Sequence, residues 1–511
     1  MSDKHRQARE KKLLRQSKRG LLRIIFSRTV IITALLLVNF SLLFALLFEL
    51  FEGITLVFGG LAVATAIMLI VILNSDDDPA FKLSWCIMVA VLPLFGIILY
   101  TFFHFDLGSR VHQKMLQKSM QASVPFISDS PSAVMDLLQE DSGTSALAKY
   151  LQQHANAPAY GSTEVCYFPL GEDKFAQMLR QMEQAKEFIF LEYFIVYPGH
   201  MWDSILEVLS RKAKEGVEVR VLYDGMNAFT NLPYDYPKKL EQLGFHCKMF
   251  SPVRPFVSTH YNNRDHRKIA VIDGHTAFTG GINLQDRYIN QEEVFGHWKD
   301  TAVMVRGEAA KGFTLMFLQM WNATEREQSY EPYLRTVSAT SAPGLVIPYG
   351  ENPTSKERVA KNVYLHILNQ AKSYVYIMTP YLILDSQMSD ALQFAAKRGV
   401  DVRIVLPSHY RELTNAGVKI YEYTPGFIHA KVFLSDDTCG TVGSINLDYR
   451  SLYLHYECAA YLYKVPALTQ IKSDFEDTFS KSQLVTPDDV KKQSLPCRLL
   501  GAILKVVAPL M

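Results

Sequence analysis

The pattern His-x-Lys-x-x-x-x-Asp occurs twice, as HRKIAVID at His266–Asp273 and as HAKVFLSD at His429–Asp436, and each copy sits at the same place in a longer repeat. Upstream, AKEFIFLEYFIV (Ala185–Val196) matches AKSYVYIMTPYLIL (Ala371–Leu384), and AKEGVEVRVLYDG (Ala213–Gly225) matches AKRGVDVRIVLPS (Ala396–Ser408). Downstream, GGIN (Gly280–Asn283) matches GSIN (Gly443–Asn446), and WKDTAVMV (Trp298–Val305) matches YECAAYLY (Tyr456–Tyr463). Five features in one order define a duplication, so whatever fold one half adopts the other must adopt too. Each half alternates helix ends, Gly stops and short apolar runs rich in β-branched and aromatic residues. This predicts an α/β fold: two duplicated domains, each a mixed sheet flanked by helices, related by a pseudo-two-fold. The first spans residues 140–335 and the second 345–490, with TVSATSAPG (Thr336–Gly344) as the linker. Met226–Asp265, rich in Asn, Pro and aromatics, is an expected insertion of the first half near a substrate mouth.

Along a strand, residues i and i+2 share a face, which sets His266 beside Lys268 and His429 beside Lys431. A Lys and a His facing one pocket suit a phosphate: Lys neutralises oxygen charge, and His attacks phosphorus or carries a proton. Asn283 and Asn446 follow small residues and offer amide donors to a substrate. Asp300 and Glu457 occupy matching places and are expected to hold a ring N–H and set its tautomer. Asp273 and Asp436 are expected to hold the motif loop and the adjacent Lys. With 14 His in the chain, and Lys and Asp each near ~5 %, about 0.03 such spacings arise by chance. Two in register therefore point to a shared site: one His forms a phosphohistidine while the other protonates the leaving alkoxide and then deprotonates the incoming hydroxyl. The residues alone do not order the two. Two Lys and two Asn supply the electrostatics, so neither a metal nor a cofactor is expected. The six Cys form no CxxC pair, which argues against a Cys-based zinc site or a disulfide framework.

Mean hydropathy is +0.03, high for a soluble enzyme, and the excess is concentrated near the N-terminus. Three apolar runs, about 29–47, 54–73 and 81–103, are each long enough to cross a ~30 Å hydrocarbon core, so 29–103 is expected to be a transmembrane region. Residues 104–139 are a connecting helical segment. The basic arm 1–28 carries ten Lys/Arg against two acids, which attracts it to anionic headgroups and keeps it in the cytoplasm. Three full crossings would put the catalytic halves outside, whereas Arg110, Lys114 and Lys118 favour inside. The tail 494–511 is apolar with Arg498 and Lys505 on roughly one face, as in an interfacial helix. The net charge of +2 leaves a balance near −6 beyond the arm, which opposes nucleic-acid binding.

The doubled motif followed by GGxN or GSxN resembles the phospholipase D superfamily. NNRDHRKIAVIDGHTAFTGGINLQDRY and GFIHAKVFLSDDTCGTVGSINLDYRSLYLHYE, with an apolar N-terminal region containing KLSWCIMVAVLPLFGIILY, are similar to the bacterial cardiolipin synthases. That resemblance implies a membrane enzyme, multi-pass in the bacterial cell membrane, that converts two phosphatidylglycerols into cardiolipin and glycerol. It implies His266, Lys268, Asp273, His429, Lys431 and Asp436 as catalytic, with His266 the nucleophile and His429 the general acid and base. A phospholipase D that hydrolyses lipid to phosphatidate would carry the same residues.

Overall fold

A computed structural model describes residues 54–104, 107–127, 141–252, 263–334, 342–406 and 411–486, with a few isolated positions elsewhere. The first apolar run, the basic arm and the C-terminal tail lie outside these residues but for such isolated positions.

The duplication is written into the strand order. The first half contributes β1 (Thr163–Phe168), β2 (Phe188–Tyr193), β3 (Glu218–Asp224), β4 (His246–Phe250), β5 (Lys268–Ile272), β6 (Thr276–Gly280), β7 (His297–Lys299) and β8 (Ala302–Gly307). The second contributes β9 (Leu345–Glu351), β10 (Tyr374–Met378), β11 (Asp401–Leu406), β12 (Lys419–Tyr423), β13 (Gly426–Ile428), β14 (Val432–Ser435), β15 (Cys439–Gly443), β16 (Glu457–Tyr463) and β17 (Ser482–Leu484). One sheet runs β1-β8-β6-β5-β2-β3-β4; the other, read from β9, runs β9-β16-β15-β14-β10-β11-β12 with β17 added at the edge. Both sheets are mixed. β2, β3 and β4 are parallel, as are β10, β11 and β12, while the motif strands β5 and β14 run antiparallel to their neighbours. The expected insertion 226–265 contains β4, the counterpart of β12, so part of it is a repeat element whose polar flanks hid it.

Local sequence explains these elements. FIFLEY in β2 is buried at every position, as are β5, β6 and β16, so they carry continuous apolar runs in place of a period-two alternation. Helices His200–Lys214 and Ser386–Lys397 make the parallel crossovers, and each is followed by a glycine at positive φ, Gly216 (92°) and Gly399 (96°), where a left-handed residue ends the helix. The two sheets share one apolar core, with Ala277, Val303 and Val305 of the first in the same cluster as Val442, Cys458 and Ala460 of the second.

Residues 54–104 belong to a separate compact unit. Among the described residues no helix is long and apolar enough to cross a membrane. The second apolar run is the helix Ile54–Leu73. The third, expected as one segment over 81–103, is two helices, Pro79–Val91 and Pro93–His104. Pro93 is the reason: it lacks an N–H to continue the helix and its ring crowds the preceding turn, leaving Leu92 outside helical geometry at φ −127°, ψ 70°.

Candidate active site

The two motif histidines precede β5 and β14, and each is placed by the other half of the chain. Asp265 bridges to Tyr456 in parallel, with His266 N–H donating to Tyr456 O at 2.9 Å. Correspondingly β7 pairs with β13 in parallel, and His429 N–H donates to Lys299 O at 2.7 Å. The residue that follows each accepting carbonyl is a carboxylate, Glu457 in one case and Asp300 in the other. The result is a crossed pair. His266 of the first half donates its Nδ1–H to Glu457 of the second, at 2.8 and 3.0 Å from the two carboxylate oxygens. His429 of the second donates Nδ1–H to Asp300 Oδ2 of the first, at 2.6 Å. Burial raises the pKa of Glu457, and the Lys268 ammonium and the Ser444 hydroxyl pull it back toward the ionised form; with both carboxylates ionised, each ring carries its proton on Nδ1 and turns Nε2 outward as the reactive nitrogen. Both carboxylates are fully buried.

The carboxylates are supported differently. Ser444 Oγ donates to Glu457 Oε2. The matching residue is Gly281, where an added Cβ would stand 2.1 Å from Asp300 Oδ1. The Gly/Ser alternation between GGIN and GSIN is thus set by the carboxylate each must pass.

Burial and the Lys268 ammonium hold His266 well below the ordinary imidazole range. Burial and Lys431 push His429 down to about 4, against the pull of Asp300. Both rings are therefore neutral at rest. Burial lowers Lys268 to about 8 and Lys431 to about 7. Each lysine donates to the carbonyl of its own motif histidine. Lys431 Nζ also lies 2.8 Å from His429 Nδ1. That nitrogen donates to Asp300 and cannot accept as well, so this contact is proximity and not a second hydrogen bond.

The other expected site residues are not all brought together. Asp273 and Asp436 lie beyond the far ends of β5 and β14, roughly 15 Å from the lysines at about 3.3 Å per residue. Asp273 accepts from the N–H groups of Lys186, Glu187 and Phe188, and Asp436 from those of Lys372, Ser373 and Tyr374, all at 2.7–2.9 Å. They pin the start of β2 and of β10, and neither is hydrogen-bonded to its motif lysine. Asn283 accepts from Ile195 N–H and donates to the Tyr288 hydroxyl, and the Tyr288 ring packs 5.4 Å from His429. Its amide thus serves the wall of the site. Asn446 Oδ1 is buried without a hydrogen-bond partner among the described residues.

One residue escaped the sequence reading. His455 is buried with its ring 5.5 Å from that of His266. Its signal was available: it precedes Glu457 by two residues, as Trp298 precedes Asp300, and period two places each beside a motif histidine.

The family model described as "Cardiolipin synthase, PLD-like domain" matches residues 178–321 and 364–479, which include both motifs and both carboxylates. The chain belongs to the cardiolipin synthase family. A second model, "Phospholipase_D-nuclease N-terminal", matches residues 63–103. The cardiolipin synthase of Halalkalibacterium halodurans is 32% identical over 461 residues, covering 86% of this chain and 91% of the relative. That of Geobacillus kaustophilus is 30% identical over 506 residues, covering 94% and 99%. An uncharacterized protein of Streptococcus mutans is 48% identical, covering 86% and 98%. Among solved structures, the phosphatidylserine synthase of Haemophilus influenzae aligns with a TM-score of 0.55 at 14% identity over 72% of this chain and 100% of that one, which shows the shared fold. As a member of the cardiolipin synthase family the protein is a phosphatidyltransferase.

Proposed function

We propose that the enzyme makes cardiolipin from two phosphatidylglycerols, releasing glycerol, through a phosphohistidine on His266. The observation that carries this is the crossed pair of His–carboxylate bonds, which sets two imidazoles with outward Nε2 atoms in one buried site. In the first step His266 Nε2 attacks phosphorus. The P–N bond forms, the P–O bond to the headgroup glycerol breaks, and the leaving alkoxide takes a proton from His429 Nε2. In the second step a hydroxyl of the other phosphatidylglycerol gives its proton to His429, its oxygen attacks phosphorus, the P–N bond breaks and His266 is regenerated. Burial keeps His429 neutral in the free protein, so the Nε2 proton it gives to the alkoxide is taken up from solvent as the phosphodiester brings its negative charge into the site. Lys268 and Lys431 neutralise the phosphoryl oxygens as charge builds in the transition state. One phosphodiester replaces another, so no external energy source is needed. The burial of both rings limits water, which would otherwise hydrolyse the intermediate.

The N-terminal unit serves as the membrane anchor in this reading. Its helices bury a small core of Ile72, Val89 and Tyr100 and expose Val63, Ile67, Ile70, Leu73, Leu83 and Val91, an apolar surface suited to lipid. Both substrates then come from the same bilayer. The test is to incubate purified enzyme in vesicles with phosphatidylglycerol alone. Cardiolipin and glycerol in equal amounts support the proposal; phosphatidate and glycerol without cardiolipin make the enzyme a hydrolase.

A further inference from the structure

The two half-sites share the crossed His–carboxylate bond and differ in the ring that stands beside each motif histidine. Trp298 stands 5.3 Å from the His429 ring at an interplanar angle of 37°, and His455 stands 5.5 Å from the His266 ring at 39°. Where one half presents an indole, the other presents an imidazole. His455 is 6% exposed, and neither of its ring nitrogens has a hydrogen-bond partner among the described residues; Nδ1 approaches Glu457 Oε1 no closer than 3.9 Å. Trp298 Nε1 is likewise buried without a partner among the described residues. A ring nitrogen of His455, one of His266 and an oxygen of Glu457 lie within 4.8 Å of one another, so His455 stands beside the reacting histidine and its carboxylate. A buried N–H is rarely left unpaired, and one beside a nucleophile is satisfied when the substrate brings an acceptor.

We propose that His455 binds substrate, its ring N–H donating to a non-bridging oxygen of the phosphoryl group held on His266. This rests on the phosphatidyl-transfer reading above and adds a fifth side chain to the four of the doubled His–Lys pairs. Burial first, and then the charges of Arg450, Lys268 and Arg264, oppose a positive charge on the His455 ring. The same field favours an anion here over a metal cation, for which His266, His455 and Glu457 would otherwise offer ligands. The imidazole also has an acceptor nitrogen that the indole of Trp298 lacks, so the two half-sites are not equivalent toward a hydroxyl-bearing substrate.

The test uses the full-length enzyme in vesicles and two variants. His455→Phe keeps a ring of similar shape and removes both nitrogens; His455→Asn shortens the side chain and retains an N–H donor. Inorganic tungstate, a phosphate mimic that needs no lipid chemistry, is titrated by calorimetry alongside phosphatidylglycerol turnover. The expected result is a tenfold or greater loss of tungstate affinity in His455→Phe with a 10- to 100-fold fall in kcat/KM, at an unchanged melting temperature, and partial recovery of both in His455→Asn. Wild-type tungstate affinity in His455→Phe overturns the proposal, as does an equal loss in both variants accompanied by a lower melting temperature. Stoichiometric zinc binding by the wild type that is lost in both variants overturns it in favour of a metal site. Tungstate bound through His455 without cardiolipin formation supports the phosphoryl contact while refuting the choice of lipid product.

Discussion

Gly281→Ala tests whether Asp300 sets the chemistry of His429. The new Cβ would meet Asp300 Oδ1 at 2.1 Å and Cγ at 2.8 Å, where ordinary contact begins near 3.4 Å, so the carboxylate must move by about 1.3 Å. Asp300 Oδ2 now stands 2.6 Å from His429 Nδ1; a displacement of that size opens the pair to roughly 3.9 Å, past hydrogen-bond reach. Removing the orienting carboxylate of a Ser-His-Asp triad costs ~10⁴ in kcat. A carboxylate that is displaced but still present should cost about 10²–10³, or roughly 3–4 kcal/mol of transition-state stabilisation. Overpacking at the buried site should lower stability by about 1–3 kcal/mol. The second half indicates the repair, because Ser444 occupies the matching position beside the longer Glu457. Gly281→Ser combined with Asp300→Glu should therefore recover a substantial part of the turnover that either change alone removes. The assay is cardiolipin formation in vesicles, with thermal unfolding as the control for folding. A Gly281→Ala enzyme that melts normally and turns over at the wild-type rate would refute the positioning role of Asp300.

Glu457→Gln and Asp300→Asn should each keep the fold and lower turnover by orders of magnitude, since a neutral amide no longer holds Nδ1–H against an acceptor charge; single-turnover trapping of labelled lipid should show Glu457→Gln slowing adduct formation on His266. Asp273→Ala and Asp436→Ala each remove the acceptor of three backbone N–H groups and should cost about 2–4 kcal/mol of stability by denaturant titration, while residual turnover at low temperature stays close to wild type. His429 binds its proton more weakly when folded (about 4) than the ordinary imidazole at 6.5. Lowering the pH through that window should thus withdraw up to about 3 kcal/mol, a loss that His429→Asn should reduce when melting curves at pH 7 and pH 5 are compared.

Much of this site was legible in the sequence because its elements recur locally. The spacing of His266 and Lys268, repeated at His429 and Lys431, needs only a strand's period of two. The Gly stops at Gly216 and Gly399 announced the crossovers. What the sequence did not carry is distance across the chain. Nothing near His266 shows that its carboxylate lies 191 residues away, or that Asp300 serves His429 across 129. Asp273 looks like part of the reactive set because it is written into the same eight letters, yet five residues of extended strand carry it to the opposite end of β5. The third apolar run looked continuous by hydropathy, which is blind to the missing N–H of Pro93. His455 escapes an alignment of Trp298 with Tyr456, which is one residue out of the register that pairs Asp300 with Glu457 and Trp298 with His455.

The crossed pairing also bears on how such a site can change. A protein made of one half, paired with an identical copy, would have to carry every substitution twice, once on each side of the symmetry axis. It could never place an indole beside one histidine and an imidazole beside the other. Joining the halves in one gene removes that constraint while keeping them mutually dependent, since each holds the carboxylate the other requires. Positions 298 and 455, like 281 and 444, differ between the halves, so the two motif histidines need not meet the same surroundings.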